Sequence, residues 1–205
     1  TDFVHKLLKK RLFSSPMAFA GTLAKHRESL ERSKSKQKTG VMDEKILKKA
    51  ILRVEEDFAN DQLYEDAQND AIEAAGELSI PLDQEQRQIL DRLTAWAGKS
   101  KNRVDTKAAA IIEWIESHLK TGGEWNRKRV ILFTEFRATQ VWMEQILTAH
   151  GFGGERLMLI HGGVDKKERE QIKAAFQAHP DISPVQILLA TDAASEGIDL
   201  QNYCN

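Results

Sequence analysis

Apolar residues recur with helical spacing through about the first 120 positions and gather into short continuous runs after that. Phe3 to Phe13 predicts a short helix. Ser15-Pro16 restarts the chain, because serine is a good N-cap and proline suits the first helical position. The helix it starts is expected to reach about Glu31. Residues 32–40, RSKSKQKTG, contain no apolar residue and predict a mobile linker or disordered loop. Leu47, Ala50, Ile51, Val54 and Phe58 share one helical face with acids opposite, and the helix should continue, with or without a break, to Ala75. Pro81 stops what precedes it. Asp83 and Gln86 have capping-box spacing, and Ile89, Leu90, Leu93 and Trp96 are expected to form a buried stripe. Asp105 should cap a helix whose inner face carries Ala108, Ile111, Ile112, Ile115 and Leu119.

The pattern changes near Gly122-Gly123. RVILFT (129–134) predicts a buried strand, followed by an amphipathic helix from Arg137 to His150 that Gly151 ends. RLMLI (156–160) predicts a second strand. Asp165 with Glu168 marks the next helix start, with Ile172, Ala175 and Phe176 facing inward. Pro180 and Pro184 mark a turn before a third strand, VQILLAT (185–191). Apolar strands joined by helical crossovers imply an α/β fold with a parallel sheet of three or more strands, flanked by helices and preceded by an α-helical region. The expected organisation is a helical linking or insertion region over 1–104 and an α/β lobe over 105–205. Ligands of such sheets gather beyond the carboxyl ends of the strands. The polar residues there are Thr134 to Arg137, His161 to Gly163, and Thr191 to Asp199.

The 205 residues are 41% apolar and 30% charged, as in a folded globular chain. No apolar run approaches the roughly 18–20 residues that span a bilayer, and the N-terminus lacks the pattern of a signal peptide. Cys204 is the single cysteine, so no internal disulfide or multi-cysteine zinc site can form. A cytoplasmic setting is expected. Net charge is −1, yet its distribution is uneven: residues 1–38 hold ten Lys/Arg against three Asp/Glu, and residues 39–86 hold four against thirteen. The basic end suits phosphates, although solvated helix faces account for the same counts. No G-x-x-x-x-G-K-[ST] loop occurs, so ILLATD (187–192) lacks the partner that would make it a nucleotide-binding strand. GFGGE (151–155) follows a helix and predicts a turn. The six histidines and Cys204 show no nucleophile–base spacing.

Four segments in order carry more information than any of them alone: VDTKAAAIIEWI, KRVILFTEFRAT, LMLIHGGVDKKEREQIKAAF and VQILLATDAASEGIDLQNYC. Together they resemble the second RecA-like lobe, the helicase C-terminal domain, of superfamily 2 ATPases. They correspond to its lead-in helix, motif IV, motif IVa and motif V. The D-x-K lead-in and the FTEF form of motif IV are similar to the Swi/Snf-type, bacterial branch. LLKKRLFSSPMAFAGTL also resembles the linking helices after lobe 1 in that branch, whereas about 41–100 match only a variable insertion.

The resemblance implies an ATP-dependent translocase on double-stranded DNA, nucleoid-associated in a bacterium, contacting the backbone and not the bases. Thr134, Arg137, His161, Gly162 and Thr191 would contact the tracked strand. Hydroxyls, backbone N–H groups and a guanidinium at strand ends suit phosphate oxygens. Glu196, Gly197 and Asp199 would line the nucleotide, with Asp199 on a ribose hydroxyl, and Gln201 would couple the two sites. ATP and Mg would be held with lobe 1 of the full-length parent. The sequence is expected to stop after motif V, without the P-loop or the arginine finger of motif VI. It is therefore expected to bind no nucleotide and catalyse no hydrolysis alone, since an arginine finger contributes roughly 10³ to 10⁵ in rate. A non-catalytic protein- or nucleic-acid-binding module on the same lobe is the alternative.

Overall fold

The computed structural model describes residues 2–36 and 44–195. Packing divides the chain into one unit of Thr1–Phe58 with Gln62–Arg103, and a second of Ala59–Asp61 with Val104–Asn205.

The first unit is helical: α1 (Asp2–Ser14), α2 (Pro16–Lys36), α3 (Glu44–Val54), α4 (Asp61–Glu77, in this unit from Gln62) and α5 (Gln84–Ser100). The Ser15 hydroxyl accepts the Ala18 N–H at 3.1 Å, so the serine cap works as its position implies. The helix does not stop near Glu31. Residues 32–36 of the apolar-free stretch are helical, which corrects the linker expectation for that part; 37–43 lie outside the described residues. Arg32 ties the start of this stretch to its surroundings. It pairs with Glu28 one turn back and with Glu73 of α4 at 2.8 Å. Helices α2 and α4 approach closely because small residues line the contact. The Ser29 hydroxyl donates to the Ile72 and Glu73 carbonyls, each at 3.2 Å, and a side chain at Gly76 would run into Ser29.

The predicted face of α3 is half-buried throughout, and the helix breaks before α4. The α5 capping box is complete: Asp83 Oδ1 accepts from Gln86 N at 2.8 Å, and Gln86 Oε1 accepts from Asp83 N at 3.1 Å. The predicted α5 stripe needs correction. Ile89, Leu93 and Trp96 are exposed, and the helix packs through Ala97 and Leu90 against Phe19 and Leu23. The inner position goes to a small residue because α2 lies close there; Trp96 meets Phe19 edge-on, at 6.0 Å between rings.

The second unit begins with α6 (Thr106–Leu119), capped by Asp105, whose carboxylate accepts the Ala108 N–H at 2.8 Å. A hairpin of β1 (Lys120–Thr121) and β2 (Glu124–Trp125) follows. The sequence pattern shows this region only as a change of character. Gly122 and Gly123 turn it at φ of 63° and 88°, left-handed values that side chains resist. Then come β3 (Val130–Thr134), α7 (Arg137–Ala149), β4 (Leu157–Ile160), α8 (Lys166–Gln177), β5 (Ile187–Thr191) and α9 (Asp192–Ser195).

The sheet is parallel with strand order β3-β5-β4. The α/β fold with a three-stranded parallel sheet flanked by helices, as in a partial RecA-like lobe, is thus present. Strand β5 is central and buried at every position. Its Leu188 and Ala190 pack with Ile172 and Phe176 of α8, and α7 packs on β3 and β5. Strand β3 is an edge among the described residues, so the expectation of a fully buried strand fails at Phe133, which is 53% exposed. Arg129 secures the start of this edge from within the core. Its guanidinium donates to the carbonyls of Val185 (2.9 Å), Ser183 (3.3 Å) and Phe176, and lies over the Phe176 ring. Among the described residues no helix is long and apolar enough to cross a membrane.

Candidate functional site at the carboxyl rim of the sheet

The register of the sheet decides which loops meet. Thr134 of β3 and Thr191 of β5 are direct partners, and Ile160 of β4 partners Ala190. Three parallel strands therefore end level. Thr134-Glu135-Phe136-Arg137, His161-Gly162-Gly163 and Thr191-Asp192 leave the sheet along one rim. The structure brings Thr134, Arg137, His161, Gly162 and Thr191 together on this rim. Glu196, Gly197, Asp199 and Gln201 lie outside the described residues, so the candidate nucleotide side has no geometry here.

Two of the five carry donors aimed at one atom. The Gly162 N–H donates to Asp61 Oδ2 at 2.6 Å, and the Thr191 hydroxyl donates to the same oxygen at 2.8 Å. Thr191 is fully buried and Asp61 is 7% exposed. Both donors are short and converge on a charged oxygen, the arrangement of a charge-assisted pair. Thr134 is less engaged: its hydroxyl makes a long 3.4 Å contact to the Phe136 carbonyl.

Arg137 stands in the first turn of α7, where Phe136 occupies the N-cap position without a side-chain cap. Its guanidinium donates to Gln140 Oε1, three residues along the same helix. Gln140 is itself completely buried, and its amide nitrogen donates to the Ile160 carbonyl at 2.9 Å and the Leu189 carbonyl at 2.6 Å. One side chain therefore ties the ends of β4 and β5 together and presents its oxygen to Arg137. The His161 ring accepts the Gly163 N–H at Nδ1, 3.1 Å. Burial holds its pKa below the ordinary histidine value and the Arg137 charge adds to that, against an opposing effect of Asp61. A neutral His161 near pH 7 keeps Nδ1 free to accept.

Asp61 and Gln140 are the rim residues that sequence reasoning missed. Gln140 had a detectable signal, as a polar residue sharing a helical face with Met143 and Leu147, three and seven positions on, both buried. Asp61 had none beyond its place at the head of a helix, because its partners lie 101 and 130 residues away.

Residues 106–204 match the family described as the helicase conserved C-terminal domain. The chain is 35% identical over 77 residues to the uncharacterized ATP-dependent helicase YqhH of Bacillus subtilis (strain 168), covering 38% of this chain and 12% of that protein. It is 29% identical over 92 residues to the pre-mRNA-splicing ATP-dependent RNA helicase PRP28 of Meyerozyma guilliermondii, covering 45% of this chain and 14% of that protein. No solved structure matches. Level strand ends, the four ordered motifs and the family match agree, and residues 106–204 of this chain are a helicase C-terminal domain of the superfamily 2 ATPases.

Proposed function

We propose that this chain is part of an ATP-driven translocase of the Swi/Snf type, bacterial branch, and supplies the lobe 2 half of its sites. Its substrate is double-stranded DNA, held by the backbone of one strand. Residues 1–104 link and decorate the motor, and 105–205 form the lobe. Thr134, Arg137, His161, Gly162 and Thr191 are the backbone contacts. Glu196, Gly197 and Asp199 face ATP and its Mg across from lobe 1, and Gln201 couples the two sites. Closure and opening of the lobes then steps the contacts along the strand.

The observation that supports this reading most is the convergence of the Gly162 N–H and the Thr191 hydroxyl on one anionic oxygen. Neither donor reads a base; both suit a nonbridging phosphate oxygen. Arg137 on the same rim supplies the charge. The test is DNA-stimulated ATPase of the full-length parent carrying Thr191→Ala or Asp199→Ala. Each should lower turnover by at least about tenfold, the order expected when a contact made with nucleic acid or nucleotide is lost. Unchanged turnover in both variants refutes the assignment.

A further inference from the structure

We propose that Asp61 is an internal occupant of a phosphate-oxygen subsite, and that nucleic acid binds this rim only after residues 59–61 leave it. The proposal rests on the reading of Gly162 and Thr191 as backbone contacts. It adds that the resting chain blocks them with its own carboxylate.

The chemistry of the contact is that of a bound oxyanion. A single oxygen, Asp61 Oδ2, takes a backbone N–H at 2.6 Å and a hydroxyl at 2.8 Å. A nonbridging oxygen of a phosphodiester asks for the same two donors and carries a comparable charge. The two ligands therefore compete for one position. Thr191 is fully buried, so a phosphate cannot reach its hydroxyl while Asp61 is in place.

A second observation shows that the loop is shaped to receive the segment. A Cβ at Gly162 would lie 3.0 Å from the Asn60 Cα and 3.0 Å from the Ala193 Cβ, and would strike the Ala59 carbonyl. Glycine at 162 thus lets the backbone of 59–60 lie directly on the rim, with the carboxylate of 61 delivered to the donors. The displaced carboxylate gains water, and the phosphate takes over both hydrogen bonds. The exchange conserves the donor count, and until it takes place Asp61 also faces an approaching phosphate as a like charge. Occupancy and repulsion both hold nucleic acid off until the segment moves.

The experiment is fluorescence anisotropy of a labelled, nonspecific DNA duplex titrated with the full 205-residue chain at low salt. Asp61→Ala should bind about tenfold tighter than the parent, the order expected when a competing charge-assisted pair is removed. Asp61→Asn keeps the shape and removes the charge, and should fall between them, which guards against a folding defect in the alanine variant. Adding Thr191→Val to Asp61→Ala should abolish most of the gain. A gain that survives Thr191→Val overturns the proposal, because it reports only a general charge effect. Equal or weaker binding by both Asp61 variants, with Thr191→Val weakening the parent, overturns it too while leaving the strand-contact reading intact. No binding by any variant overturns both.

Discussion

Gln140→Met tests whether one buried amide fixes the geometry of the rim. Methionine has nearly the volume of glutamine, so it leaves little cavity, and only the polar contacts are removed. Gln140 is completely buried, and its Nε2 serves the Ile160 and Leu189 carbonyls at 2.9 and 2.6 Å. Each such bond contributes about 1 kcal/mol net, and a buried acceptor left without a partner costs about 1–3 kcal/mol. The expected loss is therefore about 2–4 kcal/mol. With a urea dependence of about 1–3 kcal/mol/M, the unfolding midpoint should fall by about 1–2 M. The assay is a urea titration followed by tryptophan fluorescence, since Trp142 is buried two residues along the same helix. Gln140→Glu sharpens the comparison. It keeps an acceptor for Arg137 but turns oxygens toward two carbonyls, so it should be less stable than the methionine variant. A midpoint within about 0.3 M of the parent for both substitutions would refute the argument that this amide joins β4 to β5.

Three further outcomes are expected. Arg129→Met leaves the Val185, Ser183 and Phe176 carbonyls without their buried donor and should cost about 2–4 kcal/mol in the same titration; a loss under about 1 kcal/mol counts against the clasp. Asp165→Ala removes the oxygen that accepts the Glu168 N–H at 2.9 Å and should cost about 1 kcal/mol, measured as a shift in thermal midpoint. Stability should also fall with acid. His26 is held below its ordinary value of 6.5 by burial and then by the His5 charge, its Nδ1 is buried without a hydrogen-bond partner among the described residues, and His161 is depressed as well. With folded pKa values below 6.5, the unfolded chain takes up protons first as pH falls. The contribution is complete above 6.5 and is lost below it, toward the folded values. Urea midpoints at about pH 7.5 and about pH 5.5 should therefore differ, and His26→Met should narrow the gap; an equal drop in the variant would exclude His26 as a source.

What the sequence discloses here depends on how local the cause is. Helix starts at Ser15, Asp83, Asp105 and Asp165 are readable because the cap and its partner sit three residues apart. The β3, β4 and β5 segments are readable because buried parallel strands need unbroken apolar runs. Phe133 and the α5 stripe fail for the opposite reason. Periodicity marks a residue as apolar, but whether another element covers it is settled by strand order and by the close approach of α2. The hairpin at Gly122-Gly123 is legible only as a change of character, because its strands are two residues each, too short to show alternation. On the rim, the five strand-end residues come from motif order. Asp61 could not, since nothing near it in sequence points to Gly162 or Thr191.

The central position of β5 has a consequence for what changes the lobe can accept. Residues Ile187 to Ala190 are matched at once to Val130–Phe133 on one side and Leu157–Ile160 on the other. A sliding error in this strand must be made against two neighbours together, whereas an edge strand needs to deceive only one. Inserting or deleting a single residue between Ile187 and Thr191 would also rotate the terminal threonine to the opposite side of the sheet, away from its acceptor. Single-residue insertions or deletions are accordingly expected to be accepted in the connections and not between Ile187 and Thr191, an interval that behaves as a fixed ruler.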